Sequence, residues 1–332
     1  MTNTRILLAH GNGGRLMREL IADLFARHLS NPLLDTDVDA ATLPPLDGEP
    51  MLTTDGFTVQ PLEFPGGDLG SLAVHGVVND LAVAGAEPGY LTLSALIEEG
   101  LEVAVLDRLI ASFARAARAA GVAVVAGDTK VVRRGEGGGL YLSVAGLGVK
   151  RAALSMAAIV PGDRVLVSGP VGDHGIAVML AREAFGLSGE LVSDSASVLE
   201  LARAVRTLPG LRFMRDPTRG GLATVAFEIA HARNHSVVLD QAAIPLRPEV
   251  VSVCEMLGYD PYYLACEGRI VAVSAPETAD EILTRWRALP EGRDAAIIGR
   301  IEAGAARVVL DTPLGGRRLL EELEDDPLPR IC

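Results

Sequence analysis

The spacing of apolar residues changes period many times along the chain. Helical spacing, with apolar side chains recurring three and four residues apart, predicts helices at Leu16–Leu29 and Val103–Ala120. Alternating or short continuous apolar runs predict strands at Met51–Val59, Tyr90–Ile97, Val122–Ala126 and Leu140–Val149. Asp68 stands where it caps a helix reaching about Ala84, and Gly121 ends the Val103 helix. Beyond a boundary near Arg151–Pro161, a strand at Asp163–Ser168 is followed by helices to about Phe185 and over Ser195–Leu208. A helix at Leu222–Arg233 comes next. Strand, helix, strand and helix follow at Ser236–Leu239, Pro248–Leu257, Arg269–Ser274 and Glu277–Leu289, and strands at Ala295–Ile301 and Arg307–Leu310 close the series. From Asp311 the pattern fades into a flexible tail with one short helical turn at Leu319–Leu323. Strands and helices mix without regular βαβ repetition. This favours an α+β fold, with helices on one face of each sheet, over a doubly wound one.

The 332 residues exceed one comfortable core, so two domains are expected, at 1–150 and 151–310, with a tail at 311–332. Hydrophobic residues at 49% and charged residues at 22% suit large cores. A net charge of −13 argues against nucleic acid, whose phosphates need a basic surface. It leaves room for small anions held by backbone amides or a metal ion. The three cysteines, Cys254, Cys266 and Cys332, form neither a disulfide framework nor a zinc pattern, and apolar surroundings mark the first two as buried and inert. No signal-peptide pattern or bilayer-length apolar run is present, and a CaaX box needs three residues after its cysteine. A cytoplasmic protein with no membrane partner is expected.

Four aspartates recur beside small or amide residues, in Thr54-Asp55-Gly56, Asn79-Asp80, Gly127-Asp128-Thr129 and Arg215-Asp216-Pro217. Separated carboxylates converging on nucleotide phosphates through Mg²⁺ fit this pattern, although aspartate is also common at caps and turns. Glycines cluster before helices, in His10-Gly11-Asn12-Gly13-Gly14, Gly66-Gly67 and Gly220-Gly221. Backbone amides there suit phosphate, yet none of these is a Walker or dinucleotide fingerprint, and ordinary turns also account for them. Lys130 follows Asp128 just beyond a buried strand, where it meets a transferring phosphate. Glu267 breaks the apolar run Leu264-Ala265-Cys266-Glu267-Gly268, a setting that suits proton transfer, while a solvated loop carboxylate is the commoner outcome. His10 and His174 lie in glycine-rich loops and receive no catalytic role. Cys332 ends the chain after Pro327 and Pro329, which resist regular structure. A thiolate there is a nucleophile on a segment able to carry a covalent group, or an idle end.

Together these segments resemble the HypE family of hydrogenase maturation factors, within the superfamily of aminoimidazole ribonucleotide synthetase and selenophosphate synthetase. The resemblance rests on Ala9-His10-Gly11-Asn12-Gly13-Gly14, Thr53-Thr54-Asp55-Gly56, Phe64-Pro65-Gly66-Gly67-Asp68, Val78-Asn79-Asp80 and Gly127-Asp128-Thr129-Lys130. It continues through Gly172-Asp173-His174-Gly175, Arg215-Asp216-Pro217-Thr218-Arg219-Gly220-Gly221 and Ala265-Cys266-Glu267-Gly268. The terminal Pro329-Arg330-Ile331-Cys332 selects HypE within the superfamily. Asn12 departs from the Ser or Gly expected there, and His75 from the family's usual residue.

The resemblance implies two mixed α/β domains, the N-terminal ones pairing in a homodimer, and a mobile tail. It implies ATP-dependent dehydration of an S-carbamoyl group on Cys332 to a thiocyanate. The carbamoyl group comes from the carbamoyltransferase HypF, and the cyanide passes to the [NiFe]-hydrogenase iron through a HypC–HypD complex. ATP is expected at Gly11, Gly13, Gly14, Asp55, Asn79, Asp80, Gly127, Asp128 and Asp216, with Mg²⁺ on Asp55, Asp80, Asp128 and Asp216. Lys130 steers the phosphoryl group, and Glu267 is the acid/base. The other readings are a selenophosphate synthetase, which needs a reactive cysteine near the N-terminus where this chain has none before Cys254, and a non-catalytic docking scaffold.

Overall fold

The computed structural model describes residues 4–182 and 189–324. Cys332, on which the carrier reading falls, lies outside the described residues, as does the end of the helix expected to reach Phe185. The chain divides into two compact units, one holding residues up to Leu81 with Glu87–Lys150, the other Ala82–Ala86 with the chain from Arg151.

The first unit opens with one continuous helical run, α1 (Arg15–Leu20), a π-helical stretch (Ile21–Ala26) and α2 (Arg27–Leu29). Its strands are β1 (Pro50–Phe57), the short pair β2 (Glu63–Phe64) and β3 (Gly67–Asp68), β4 (Ala86–Glu98), β5 (Ala123–Val132) and β6 (Leu140–Lys150). The helices α3 (Leu69–Val83) and α4 (Val103–Ala120) complete it. The main sheet has the order β1-β6-β4-β5, with β1 antiparallel to β6 and β4 parallel to β5. One face carries Leu91, Leu93, Ala95 and Ile97 of β4 and Leu140, Leu142 and Val144 of β6, all buried. Asp68 caps α3 as expected. Its Oδ1 accepts from the Ser71 N–H at 2.8 Å, and its own N–H donates to Ser71 Oγ at 3.1 Å. The other face stays open and exposes Leu52, Leu96 and Tyr141.

The second unit contains β7 (Arg164–Val167), α5 (Asp173–Ala181), α6 (Leu199–Val205), β8 (Leu211–Arg215), α7 (Gly221–Arg233), β9 (His235–Asp240) and α8 (Pro248–Leu257). It ends with β10 (Val271–Ser274), α9 (Pro276–Arg287), β11 (Ala296–Ala303), β12 (Arg307–Asp311) and β13 (Arg317–Leu319). The sheet order is β13-β12-β9-β11-β7-β10-β8, with only β9 and β12 parallel among its pairs. Val165, Val167, Val271 and Val273 join α7 in one core, while Leu166 and Ala272, which point the other way, are also fully buried.

The α+β class stands, with four local differences, the first being that the helix expected over Ser195–Leu208 covers only Leu199–Val205. Placement of helices on one face fails in the second unit, because β10 is buried at every position. The strand expected to end at Ala126 continues through Gly127–Lys130 to Val132, because β4 offers a parallel partner along that whole length. The expected turn of helix at Leu319–Leu323 does not form: Leu319 ends the edge strand β13, which pairs with β12, and residues 320–323 have no regular structure, with Leu320 buried.

Candidate active site

In the first unit the glycine-rich loop and β5 come together. Residues Leu8–Gly11 form a short 3₁₀ turn held by His10, whose Nδ1 accepts from the Leu7 N–H at 2.9 Å while the ring is almost fully buried. Gly11 lies directly against β5, where a Cβ would stand 2.9 Å from Val131 Cβ. Any side chain there would push the loop off the strand. Gly13 takes a left-handed φ of 75°, and both it and Gly14 face open space.

The aspartates separate by face. Asp55 pairs opposite Val144 of β6 and so points to the helix-covered side, as does Thr53 two residues earlier. Thr53 Oγ1 donates to Asp80 Oδ2 at 2.9 Å, which joins β1 to α3 and draws Asp55 and Asp80 to one side. Asn79 is fully buried in α3. In β5, Asp128 and Lys130 pair opposite Ser94 and Leu96 and therefore face the open side of the sheet. Gly127 is paired with buried Leu93 and faces the covered side. Asp216 belongs to the second unit. Among the described residues no three His, Cys, Asp or Glu side chains converge into a metal cage.

In the second unit a different group assembles. The Cys266 N–H donates to Pro217 O at 3.1 Å, which sets the Asp216 turn beside the Cys266–Glu267 segment. Asp216 is 6% exposed and Glu267 5%, so the solvated-loop reading of Glu267 does not hold. Around them lie Asp173, His174, Ser193, Asp194 and Arg269, all buried. Arg247 Nε donates to Asp173 Oδ2 at 2.7 Å, and His174 Nδ1 lies 2.8 Å from Ser193 Oγ. Burial pushes the Asp173 carboxyl up to about 6 against the pull of Arg247, with Asp194 adding to the rise. Burial likewise drives His174 down to about 4, so its imidazole is neutral near neutral pH. Cys254 and Cys266 are buried as expected; burial raises Cys254 to about 11 and Cys266 well above the ordinary thiol range.

Sequence reading passed over this charged group. Asp173 stood in a quoted motif and Arg269 follows Glu267 by two positions, so both carried a local signal. Asp194 carried none, because only the fold brings it to Glu267.

Residues 37–150 match the N-terminal domain of AIR synthase related proteins, and residues 160–311 match the C-terminal domain. Fold and domain pair therefore define the AIR synthase-related class. Within it, the chain is 45% identical over 338 residues to the carbamoyl dehydratase HypE of Azotobacter vinelandii, across 100% of this chain and 98% of that protein. A hydrogenase maturation protein HypE solved in complex with ATP superposes with a TM-score of 0.93 at 43% identity, covering 98% of this chain and 99% of that one. A chain of a HypE–HypF complex superposes with a TM-score of 0.81 at 40% identity, covering 93% of this chain and 100% of that one. The chain belongs to the HypE family of carbamoyl dehydratases.

Proposed function

We propose that this chain is an ATP-dependent carbamoyl dehydratase of [NiFe]-hydrogenase maturation whose substrate is the S-carbamoyl group on its own Cys332. The observation that carries this is identity over the whole chain to a carbamoyl dehydratase, together with a thiol as the last residue. The chemistry has two steps. The amide oxygen attacks the γ-phosphorus of ATP and one of the two N–H protons is lost to solvent, giving ADP and an O-phosphorylated thiocarbonimidate, R–S–C(=NH)–O–phosphate. A base then takes the remaining N–H proton, the C–O bond breaks, and phosphate leaves with both electrons, so that R–S–C≡N remains. Phosphorylation is needed because an amide oxygen is otherwise a poor leaving group.

Glu267 is the base in this reading, since a carboxylate in a buried, nearly closed setting suits proton transfer. Lys130 steers the phosphoryl group, and Gly11, Gly13, Gly14, Asn79 and Gly127 frame the nucleotide. The residues fit Mg²⁺ in one respect: Asp55 and Asp80 lie on one side of β1, and this ion takes one or two carboxylates plus phosphate oxygens instead of a protein cage. Asp128 faces the other side of the sheet and Asp216 belongs to the second unit, so the Mg²⁺ proposal rests on Asp55 and Asp80. Mg²⁺, when bound, neutralises charge on the phosphates.

HypF supplies the carbamoyl group in this reading, as the HypE–HypF complex of a relative suggests, and a HypC–HypD complex accepts the cyanide. The open face of the first sheet, with Leu52 74% exposed, supports pairing of two chains. No described helix is long and apolar enough to cross a membrane, which agrees with a cytoplasmic location. Intact mass during incubation with ATP and the carbamoyl-transfer system tests the reaction. A carbamoyl mass gained and then one water lost is the expected course; an adduct that survives Cys332→Ala overturns it.

A further inference from the structure

Glu267 reaches its position through a buried clamp on its own backbone. Its N–H donates to Asp194 Oδ1 at 3.1 Å. The peptide after next, between Gly268 and Arg269, is held as well, since Arg269 Nη1 donates to Gly268 O at 3.2 Å. Asp194 and Arg269 are themselves joined, with Arg269 Nε 3.4 Å from Asp194 Oδ2. That guanidinium is anchored by Pro170 O at 2.8 Å and reaches Asp173 Oδ2 at 3.6 Å. The clamp tolerates no added atom: a Cβ on Gly268 would stand 1.9 Å from Asp194 O.

Such an arrangement is costly to build. Asp194 has a side chain 0% exposed and Arg269 one 9% exposed. Buried ion pairs contribute little net stability against apolar replacements of the same size. An apolar pair would fill this space, but it could not hold the peptide between Cys266 and Glu267. The charged pair holds both flanks of Glu267, the one residue here whose side-chain direction the reaction needs.

We propose that Asp194 is a positioning residue for Glu267, with one carboxylate oxygen accepting from the Glu267 N–H and the other ion-paired with the Arg269 guanidinium at 3.4 Å without a hydrogen bond, and that together they set where the Glu267 carboxylate stands. The inference rests on Glu267 being the base of the dehydration. Misplacement of a reacting group by about 1 Å costs on the order of a hundredfold in rate. Asp194→Ala in the full chain is therefore expected to slow dehydration of the carbamoyl-loaded protein by roughly ten- to a hundredfold. ATP affinity and carbamoyl loading stay unchanged. Asp194→Asn keeps the oxygen acceptor and should recover most of that loss.

A double-mutant cycle separates positioning from general damage. On a Glu267→Gln background the Asp194→Ala change should slow the reaction no further, because the group it positions is already inactive. Additive losses, ATP affinity falling in step with rate, or Asp194→Asn as slow as Asp194→Ala would each overturn the proposal. If Asp194→Ala fails to fold, the cycle is run with Asp194→Asn, which should lose about threefold alone and nothing on Glu267→Gln. Glu267→Gln at the wild-type rate is a separate result. It removes the base assignment itself, and this inference with it.

Discussion

His174 and Asp173 are neighbours in α5 whose burial pulls the stability of the second unit in opposite directions as pH falls. Burial takes His174 from 6.5 to about 4, so the unfolded chain accepts that proton first and acid destabilises the fold. The loss begins below the ordinary histidine range and is complete near the folded value. Asp173 is raised from 3.8 to about 6, so the folded chain accepts its proton first and acid stabilises it over that window. Linkage between about pH 7 and pH 5 then gives a loss of about 2 kcal/mol from His174 and a gain of about 1 kcal/mol from Asp173. The wild type should therefore lose less than about 1 kcal/mol from these two groups together. Asp173→Asn, which keeps an acceptor for Arg247, exposes the full loss of about 2 kcal/mol. His174→Gln, which keeps a polar partner for Ser193, reverses the sign to a gain of about 1 kcal/mol. The chain has one tryptophan, Trp286, which is fully buried in this same unit with its Nε1 donating to Leu201 O at 3.0 Å. Urea unfolding followed by its fluorescence thus reports on the second unit. An Asp173→Asn protein no steeper in pH than wild type would refute the reasoning.

Lys130→Ala should slow single-turnover phosphate release by roughly a hundredfold or more, as expected for a lost charge at a developing phosphoryl group, with carbamoyl loading intact; a normal rate removes Lys130 from the reaction. Asp68→Ala removes the cap of α3, the helix that carries Asn79 and Asp80, and should cost about 1 kcal/mol, a few degrees in thermal melting followed by circular dichroism. An unchanged melting curve would mean that the Ser71 pairing contributes nothing. Leu52→Asp places a charge on the open sheet face and should shift the mass in light scattering from two chains toward one; an intact dimer would locate the interface elsewhere.

Elements whose signals lie within their own residues were legible in the sequence. The helices α4 and α8 begin and end where the pattern places them, because an apolar period fills each and a left-handed glycine, Gly121 or Gly258, follows. The burial of Cys254 and Cys266 could also be read, since each sits in an apolar run, whereas the same run left Glu267 open between a buried and a solvated carboxylate and the structure decided for burial. Partnership across the chain could not. The strand β5 extends past Ala126 because β4 lies beside it, and β13 is a strand because β12 has a free edge; neither fact is local.

The same division runs through the site. Residue types and motifs singled out Asp55, Asp80, Asp128, Lys130, Asp216, Glu267 and Cys332 from the sequence alone. The tertiary structure decided which of the described residues share a face. It put Asp55 and Asp80 on one side of the first sheet and Asp128 and Lys130 on the other, because side chains alternate along a strand. It also brought Asp194 to the backbone of Glu267, across 73 positions of sequence. A hydrogen bond depends on distance in space, and spacing along the chain carries no record of it.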